Sequence, residues 1–419
     1  MDAKKIFDNL KESFIYMERF VNNGSPSGWT KKKSTSPETN PFTGKKEFPL
    51  VEIDDSGLDS LIIGEPNDIF NKRNFCHPDS IAFMSPVVKS DKISAKDSDV
   101  IVQPTSGGRT MFLCSNQYAG FIKLTYDVAR IGRVDRQLKY EHCMSSYEVS
   151  NAMKRAIDSG KYADTFSVLL ERTGKVTYIP IDNENYYEWG TMLREIKPYP
   201  YVEEERQIIP GFSLFGTDFY NEETQKDDLL INQFIALSKK DPKDYLTNVA
   251  TITVDSWFQS ALNCGFLLEL HGQNCYYEIN KNFEITRIVI KDMDSVDKDM
   301  SLQKKLGLNS VWKSFPYECF YEDEPEDHPW YYKIRPSYMY DFKLGTYLLL
   351  PIIDAVCSHF NLDKQQIIAE IKEYVRNKYL EKLPKGFFPE DGTWYDCDNS
   401  ERKPGTRRTY YAHDNPMFR

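Results

Sequence analysis

The chain has 419 residues, 40% of them hydrophobic, and a formal net charge of −10. That is enough apolar material for a sizeable core and two or three lobes, while the acidic surplus speaks against a broad polyanion-binding face, so nucleic acid is not an expected partner. Eight scattered cysteines without a Cys-x-x-Cys pair exclude a zinc ribbon and a dense disulfide framework. Residues 1–10 lack an apolar leader, and the apolar run 344–356 is broken by Pro351 and Asp354, so the expectation is a cytoplasmic protein without a membrane segment.

In chain order, Ile6, Leu10, Phe14, Ile15 and Met17 recur with helical spacing over residues 4–21, and Asn23-Gly24-Ser25-Pro26 ends that pattern. Residues 24–46 are rich in Ser, Thr, Lys, Pro and Gly and read as a loop. Residues 111–114 and 121–128 read as strands. A helix follows, with Ser145 and Glu148 as its capping box, Met153 and Ile157 on its apolar stripe and Gly160 as its stop. Thr173-Gly174 between residues 166–170 and 175–179 predicts a hairpin. Helical periodicity then covers 227–240 and 245–263, separated by Asp241-Pro242 and stopped by Gly265, and later 344–360 and 363–383. The tail from residue 384 is turn-rich. The pattern is that of an α+β protein, read as an N-terminal helix plus loop-rich region (1–97), a β-rich region (98–222) and a hairpin with a helical C-terminal part (223–419).

The segment Glu269-Leu270-His271-Gly272-Gln273-Asn274 lies in the first arm of an apparent hairpin, 266–279 against 284–292. With Lys281 and Asn282 as the loop, His271 faces Asp292 and Glu269 faces Asp294. Strand alternation then puts Glu269, His271 and Gln273 on one face, where burying them unpaired costs roughly 1–3 kcal/mol each. A satisfied polar network at a hairpin edge is the plain alternative. So many polar groups opposite an Asp-x-Asp favour a ligand, and Asp292, Glu269 and Asn274 suit Mg²⁺ beside phosphate oxygens. A second candidate is the turn Thr105-Ser106-Gly107-Gly108-Arg109-Thr110, able to offer backbone N–H groups, hydroxyls and a guanidinium to an anion. Lys123, a charge in an apolar strand, and the cluster Arg130, Arg133 and Arg136 are further anion-binding candidates.

Taken together, these pieces resemble the siderophore synthetases that work without a nonribosomal peptide synthetase, the aerobactin-synthase-like family. The resemblance rests, in order, on Pro104-Thr105-Ser106-Gly107-Gly108-Arg109-Thr110, Lys123-Leu124, Met192-Leu193-Arg194-Glu195, the Glu-x-His-Gly-Gln-Asn element from Glu269 to Asn274, Lys291-Asp292 and Asn415-Pro416-Met417. It implies a cupped hand of fingers, palm and thumb, the palm sheet similar to that of protein kinases. It also implies an AMP-forming ligase that adenylates a citrate-like or other polycarboxylic acid with ATP and Mg²⁺, then joins it to an amine or hydroxyl nucleophile. By the same resemblance Ser106, Arg109, Thr110 and Lys123 bind ATP phosphates, and Glu269, Gln273, Asn274 and Asp292 hold nucleotide and metal. His271 with Arg133 or Arg136 holds the carboxylate, and the protein is a homodimer. The chain departs from the family pattern at Gly107, where the family has a second serine, and at Lys291, where it has arginine. Two other readings stand beside this one: a kinase-like phosphotransferase, and a catalytically degenerate polyacid-binding relative.

Overall fold

The computed structural model describes residues 1–23, 36–83, 95–114, 120–126, 137–218, 220, 228–308, 335–389, 393–398, 409–413 and 418–419. After a short 3-10 turn at Ala3–Lys5, Asn9 caps the first helix, α1 (Leu10–Phe20), by accepting from the Glu12 amide. An eight-stranded antiparallel sheet follows, built from β1 (Phe48–Asp54), β2 (Asp59–Gly64), β3 (Arg73–Cys76), β4 (Ala95–Pro104), β5 (Thr110–Leu113), β6 (Gly120–Leu124), and, further on, β8 (Glu171–Pro180) and β9 (Tyr186–Glu195). Its strand order is β2-β8-β9-β6-β5-β4-β1-β3. Between β3 and β4 comes the short helix α2 (Pro78–Phe83), and α3 (Tyr140–Asp158) packs across β8 and β9.

A second sheet, in the order β10-β12-β13-β7, takes β7 (Phe166–Val168), β10 (Gln207–Pro210), β12 (Cys275–Ile279) and β13 (Ile285–Ile290), with β7 parallel to β13 and the rest antiparallel. The large sheet thus draws strands from both sides of residue 97, and the small sheet from both sides of residue 222. Behind the small sheet lie α4 (Leu230–Ser238) and α5 (Pro242–Cys264), then the ladder of β11 (Phe266–Leu267) with β14 (Asp297–Lys298), and α6 (Met300–Lys305). Further along, α7 (Arg335–Ser337) runs into a π-helical stretch, Tyr338–Leu349, and on into α8 (Leu350–Phe360), followed by α9 (Lys364–Lys378) and the hairpin β15 (Trp394–Asp398)–β16 (Thr409–His413). The helices and the small sheet share one core, while the large sheet carries smaller ones. Among the described residues no helix is long and apolar enough to cross a membrane.

The two sheets meet at α1. Phe14 sits with its ring centroid 6.4 Å from Phe112, 5.8 Å from Phe121 and 5.5 Å from Tyr276, so one helix face touches β5, β6 and β12 together.

Three sequence expectations are corrected. α3 begins at Tyr140 behind Lys139, and Ser145 is buried within it, because Leu138 and Cys143 already bury against β8 and β9 and extend the apolar face upstream. Thr173-Gly174 is no hairpin: β8 runs straight through Gly174, whose missing side chain makes room for the Met192 sulfur, and the reversal comes at Asp182, which accepts from the Glu184 and Asn185 amides. The segment 268–274 is not a strand. The hairpin pairs Cys275 with Ile290 and turns through a longer loop, in which Asn280 accepts from the Asn282 and Glu284 amides. His271 therefore does not face Asp292 in a ladder, nor Glu269 Asp294. The ladder breaks off and resumes at Leu267 with Asp297, leaving 268–274 and 291–296 as two facing loops.

Gly265 closes α5 in the left-handed region at φ 66°, where an added Cβ would lie 2.3 Å from the Gln303 side chain and 3.2 Å from the Asp299 carbonyl. Gly265→Ala is expected to lower the unfolding free energy by about 1–3 kcal/mol. Urea unfolding measures this, and a change under about 0.5 kcal/mol counts against a strained cap.

Candidate functional site

Lys123 stands on β6 in the large sheet, nearly fully buried, directly opposite Thr110 at the start of β5. Its Nζ lies 2.5 Å from Asp292 Oδ1 and 3.5 Å from Asp294 Oδ2, carboxylates on the loop that leaves the small sheet after β13. Arg109, at the end of the Ser106 turn, reaches to 4.0 Å of Asp294. Arg194, on β9 beside β6, donates through Nε to Glu171 at 2.7 Å and through Nη2 to Asp292 at 3.2 Å. Asp292 itself has φ 63°, a left-handed conformation that aspartate tolerates better than most residues. Burial would raise its carboxyl, but Lys123, Arg194 and Arg109 hold it well below the usual carboxylate range. Asp292 and Asp294 keep 25% and 16% of their side-chain surface, so the charged group opens to solvent on its carboxylate side.

The facing loop carries the Glu-x-His-Gly-Gln-Asn residues. Its turn is closed by the Asn274 amide donating to the His271 carbonyl at 2.9 Å, and Phe212 packs so closely over Gly272 that a Cβ there would lie 2.9 Å from that side chain. Asn274 Nδ2 donates to Glu269 at 3.3 Å and to Ser295 Oγ at 3.2 Å, and Ser295 Oγ donates to the Asp292 carbonyl at 2.7 Å, which ties the two loops together. Glu269 Oε1 meets Lys343 Nζ at 2.6 Å. Burial would raise Glu269, yet Lys343 holds it below its ordinary value. His271 accepts the Gln273 amide at Nδ1 (3.2 Å), which leaves the proton on Nε2, and burial drives the imidazole down to about 4. The neutral ring is therefore the form present at pH 7.

Ser106 does not face this opening. It is 1% exposed, and its amide (3.1 Å) and Oγ (2.6 Å) both donate to Glu18 Oε2 on α1. Glu18 Oε1 accepts from Tyr276 Oη at 2.8 Å and lies 3.4 Å from Lys291 Nζ, which also donates to Tyr276 Oη at 2.7 Å. Burial opposes ionisation of Glu18, but Lys291 and these hydrogen bonds outweigh it and hold the carboxyl low.

The structure thus brings Arg109, Thr110, Lys123, Glu269, His271, Gln273, Asn274 and Asp292 to one region and sets Ser106 behind it. Arg133 and Arg136, like Asn415-Pro416-Met417, lie outside the described residues. Glu18, Tyr276 and Lys343 escaped the sequence reading. Two of them carried a signal: Glu18 lies at i+4 from Phe14 on the apolar face of α1, and Lys343 interrupts an apolar helical run. Among the described residues no three His, Cys, Asp or Glu side chains are grouped as a ready-made metal cage.

No protein-family model matches the sequence, and no curated protein matches it. Solved structures do resemble the fold. The petrobactin biosynthesis protein AsbB from Bacillus anthracis str. Sterne aligns with a TM-score of 0.71 at 13% identity, over 99% of this chain and 76% of its own. The ATP-bound aerobactin synthetase IucA from a hypervirulent pathotype of Klebsiella pneumoniae gives 0.70 at 12% identity, over 99% and 80%. Aerobactin synthetase IucC from the same pathotype gives 0.63 at 12%, over 90% and 72%. The likeness to siderophore synthetases that the motifs carry is therefore also a likeness of fold.

Two outcomes follow from the buried charges. Glu18→Ala strands Lys291 and the Ser106 donors, and is expected to destabilise the protein by about 3–5 kcal/mol in denaturant unfolding; Glu18→Gln, which keeps the acceptor, loses less. His271 and His77 are both driven to about 4 by burial, against an ordinary value of 6.5, so the unfolded chain is the stronger proton binder. The stability contributed by these two neutral imidazoles is complete above pH 6.5 and is lost as the pH falls from 6.5 towards 4, whereas buried Asp299, pushed up to about 8, contributes in the opposite sense. In chemical denaturation at stepped pH, His271→Gln flattens this decline without abolishing it, and an unchanged slope refutes the assignment.

Proposed function

We propose that the chain is an ATP-dependent ligase that adenylates a polycarboxylic acid and condenses it with an amine or hydroxyl nucleophile, as in siderophore biosynthesis. The observation that carries this reading is the convergence of Lys123, Arg109 and Arg194 on Asp292 and Asp294 at an opening between the two sheets. Support comes from the fold shared with an ATP-bound aerobactin synthetase.

The donor set fits Mg²⁺ in its usual manner, with one or two carboxylates and the remaining positions filled by phosphate oxygens and water. Asp292 and Asp294 would supply those carboxylates, and Glu269 and Asn274, tied to the same loops, would complete the set. When bound, the ion supplies Lewis-acid charge neutralisation at the phosphates. Lys123 and Arg109 now offset the two aspartates. Lys123 and Arg109, with Thr110 beside them, would grip phosphate oxygens and stabilise the negative charge that develops at the α-phosphate. Arg194 stays locked to Glu171 and keeps Asp292 ionised. Ser106 acts through Glu18, bracing the turn that carries Arg109.

In the first half-reaction a carboxylate oxygen of the acid attacks the α-phosphorus and pyrophosphate leaves. In the second, the nucleophile attacks the acyl carbon, sheds its proton, and AMP leaves. His271, neutral and protonated on Nε2, orients the carboxylate as a hydrogen-bond donor, together with Arg133 or Arg136. Gln273 flanks the nucleotide. In this reading the large sheet forms the fingers, the small sheet a kinase-like palm and the C-terminal helices the thumb of a cupped hand. The chain is read in the same three stretches, 1–97, 98–222 and 223–419, with strands of each sheet drawn from more than one of them. The protein acts as a cytoplasmic homodimer.

The test is acid-dependent ATP–pyrophosphate exchange and AMP release with citrate, 2-oxoglutarate and dicarboxylic amino acids. Asp292→Ala, Lys123→Met and His271→Ala are each expected to lower the rate at least about 100-fold, with the circular dichroism spectrum retained. ADP as product turns the assignment to a phosphotransferase. No exchange with any acid, alongside binding of the acid, turns it to a non-catalytic polyacid binder.

A further inference from the structure

Away from this opening, a cavity of about 490 Å³ lies between α3, the end of α5, β11 and α6. Its volume is in the range that holds small molecules. One wall is a row along α3 at helical spacing, Tyr147, Asn151, Arg155 and Ser159, and the neighbouring Ala152 and Ala156 keep the space beside that row open. The floor is apolar, with Phe266 and Leu308, and carries one buried amide, Gln303. Its Nε2 donates to the Cys264 carbonyl at 2.9 Å, while its Oε1 has no hydrogen-bond partner.

The charges are distributed unevenly. Arg155 and Lys161 lie at the exposed rim, and neither side chain forms an ion pair or hydrogen bond with a described residue. Glu148, deeper in, is set against buried Lys298 on β14 as well as Arg155. Rim and wall together therefore carry two cations against the single carboxylate of Glu148, in a chain whose net charge is −10. A local positive field of this kind, over an apolar floor, suits an organic anion.

The location gives the cavity a consequence. Phe266 belongs to β11, which pairs with Lys298, and Leu267 pairs with Asp297. This two-residue ladder is where the loops 268–274 and 291–296 rejoin. α3 also packs on the turn Met293–Ser295 that carries Asp294. Pressure on Phe266 is thus pressure on the clamp that spaces the two loops.

We propose that this cavity is a second binding site, for a small carboxylate with an apolar body, and that its occupation tightens the β11–β14 clamp. The anion sits at Arg155 and Lys161, and the apolar body lies on Phe266 and Leu308 against Ala152.

The probe is 2-naphthoate, titrated by calorimetry and ligand-observed NMR into the full chain, with neutral 2-naphthamide as the control. The expected result is binding of 2-naphthoate, at least about threefold weaker binding of the amide and of 2-naphthoate to Arg155→Glu, and none to Ala152→Phe, which fills the space. Thermal unfolding checks that the filled variant is folded; Arg155→Glu, on the rim, tests the site without touching the core. Lys123→Met is expected to bind the probe as wild type does, which separates this site from the nucleotide opening whatever the fate of the ligase reading. On binding, amide hydrogen exchange over 266–274 and 292–298 is expected to slow. No binding, or equal binding to Arg155→Glu and Ala152→Phe, overturns the site; binding without slowed exchange overturns the clamp.

Discussion

The interaction on which the rest depends is the ion pair between Lys123 and Asp292. The two residues are 169 positions apart, Lys123 on a strand of the large sheet and Asp292 on the loop that follows β13 of the small one. Burying an ammonium group in the middle of a strand is unfavourable unless a carboxylate meets it, and the carboxylate here comes from a loop that has left its own ladder. The pair therefore fixes the distance between the sheets and marks where they open. It also sets the local protonation: with Lys123, Arg194 and Arg109 around it, Asp292 is ionised at any physiological pH. Under the proposed reading, a divalent cation or a phosphate would meet charges already held in place here, which is the condition for strong electrostatic action in a site.

That geometry requires the sheets to be held from behind, and α1 does so with two residues one helical turn apart. Phe14 fills the apolar contact of β5, β6 and β12, and Glu18 gathers Ser106 of the β4–β5 turn, Tyr276 of β12 and Lys291 just after β13. The apolar contact is tolerant of small shifts; the carboxylate is not, because its hydrogen bonds must all be kept to offset its burial. Glu18 therefore fixes the alignment that Phe14 stabilises. It also accounts for a serine in a phosphate-type turn with both donors facing inward. At Gly107 a Cβ would meet nothing closer than 3.5 Å, so steric space does not explain a glycine where the synthetases that the motif resembles have a second serine.

Much of this was legible in the sequence where local rules decide structure. Asp241-Pro242 and Gly265 bracket α5, though the helix starts at Pro242, three residues before its periodicity places it, and the apolar runs locate β5 and β6 while overrunning the end of β6 at Leu124, because capping and periodicity are short-range. The motif residues were also found, since polar side chains in an apolar context are conspicuous wherever the backbone goes. The backbone path through them was not. Alternation made 268–274 a strand, but Gly272 under Phe212, the left-handed Asp292 and the longer turn at Asn280 are tertiary facts that no window of sequence contains. Ser145 and Gly174 misled for a related reason. A serine looks like a cap and a glycine like a turn until the packing around them shows a helix interior and a sulfur contact.

The misplaced strand is instructive about how such a site is built. A continuous hairpin would have sent alternate residues of the motif to opposite faces, and each face would have had to satisfy half of the polar groups. Breaking the ladder between Cys275–Ile290 and Leu267–Asp297 frees both loops to turn their side chains towards one opening. The ladders on either side, and the Asn274–Ser295–Asp292 chain of hydrogen bonds between the loops, restore the stiffness that the break removes. Buried Arg335 pairing with Asp297 anchors the far ladder in the same way that Glu18 anchors the near one. The polar motif is held by two clamps rather than by a strand, so a disturbance at either clamp, including one in the cavity beside Phe266, reaches the charged opening through the loops they bound.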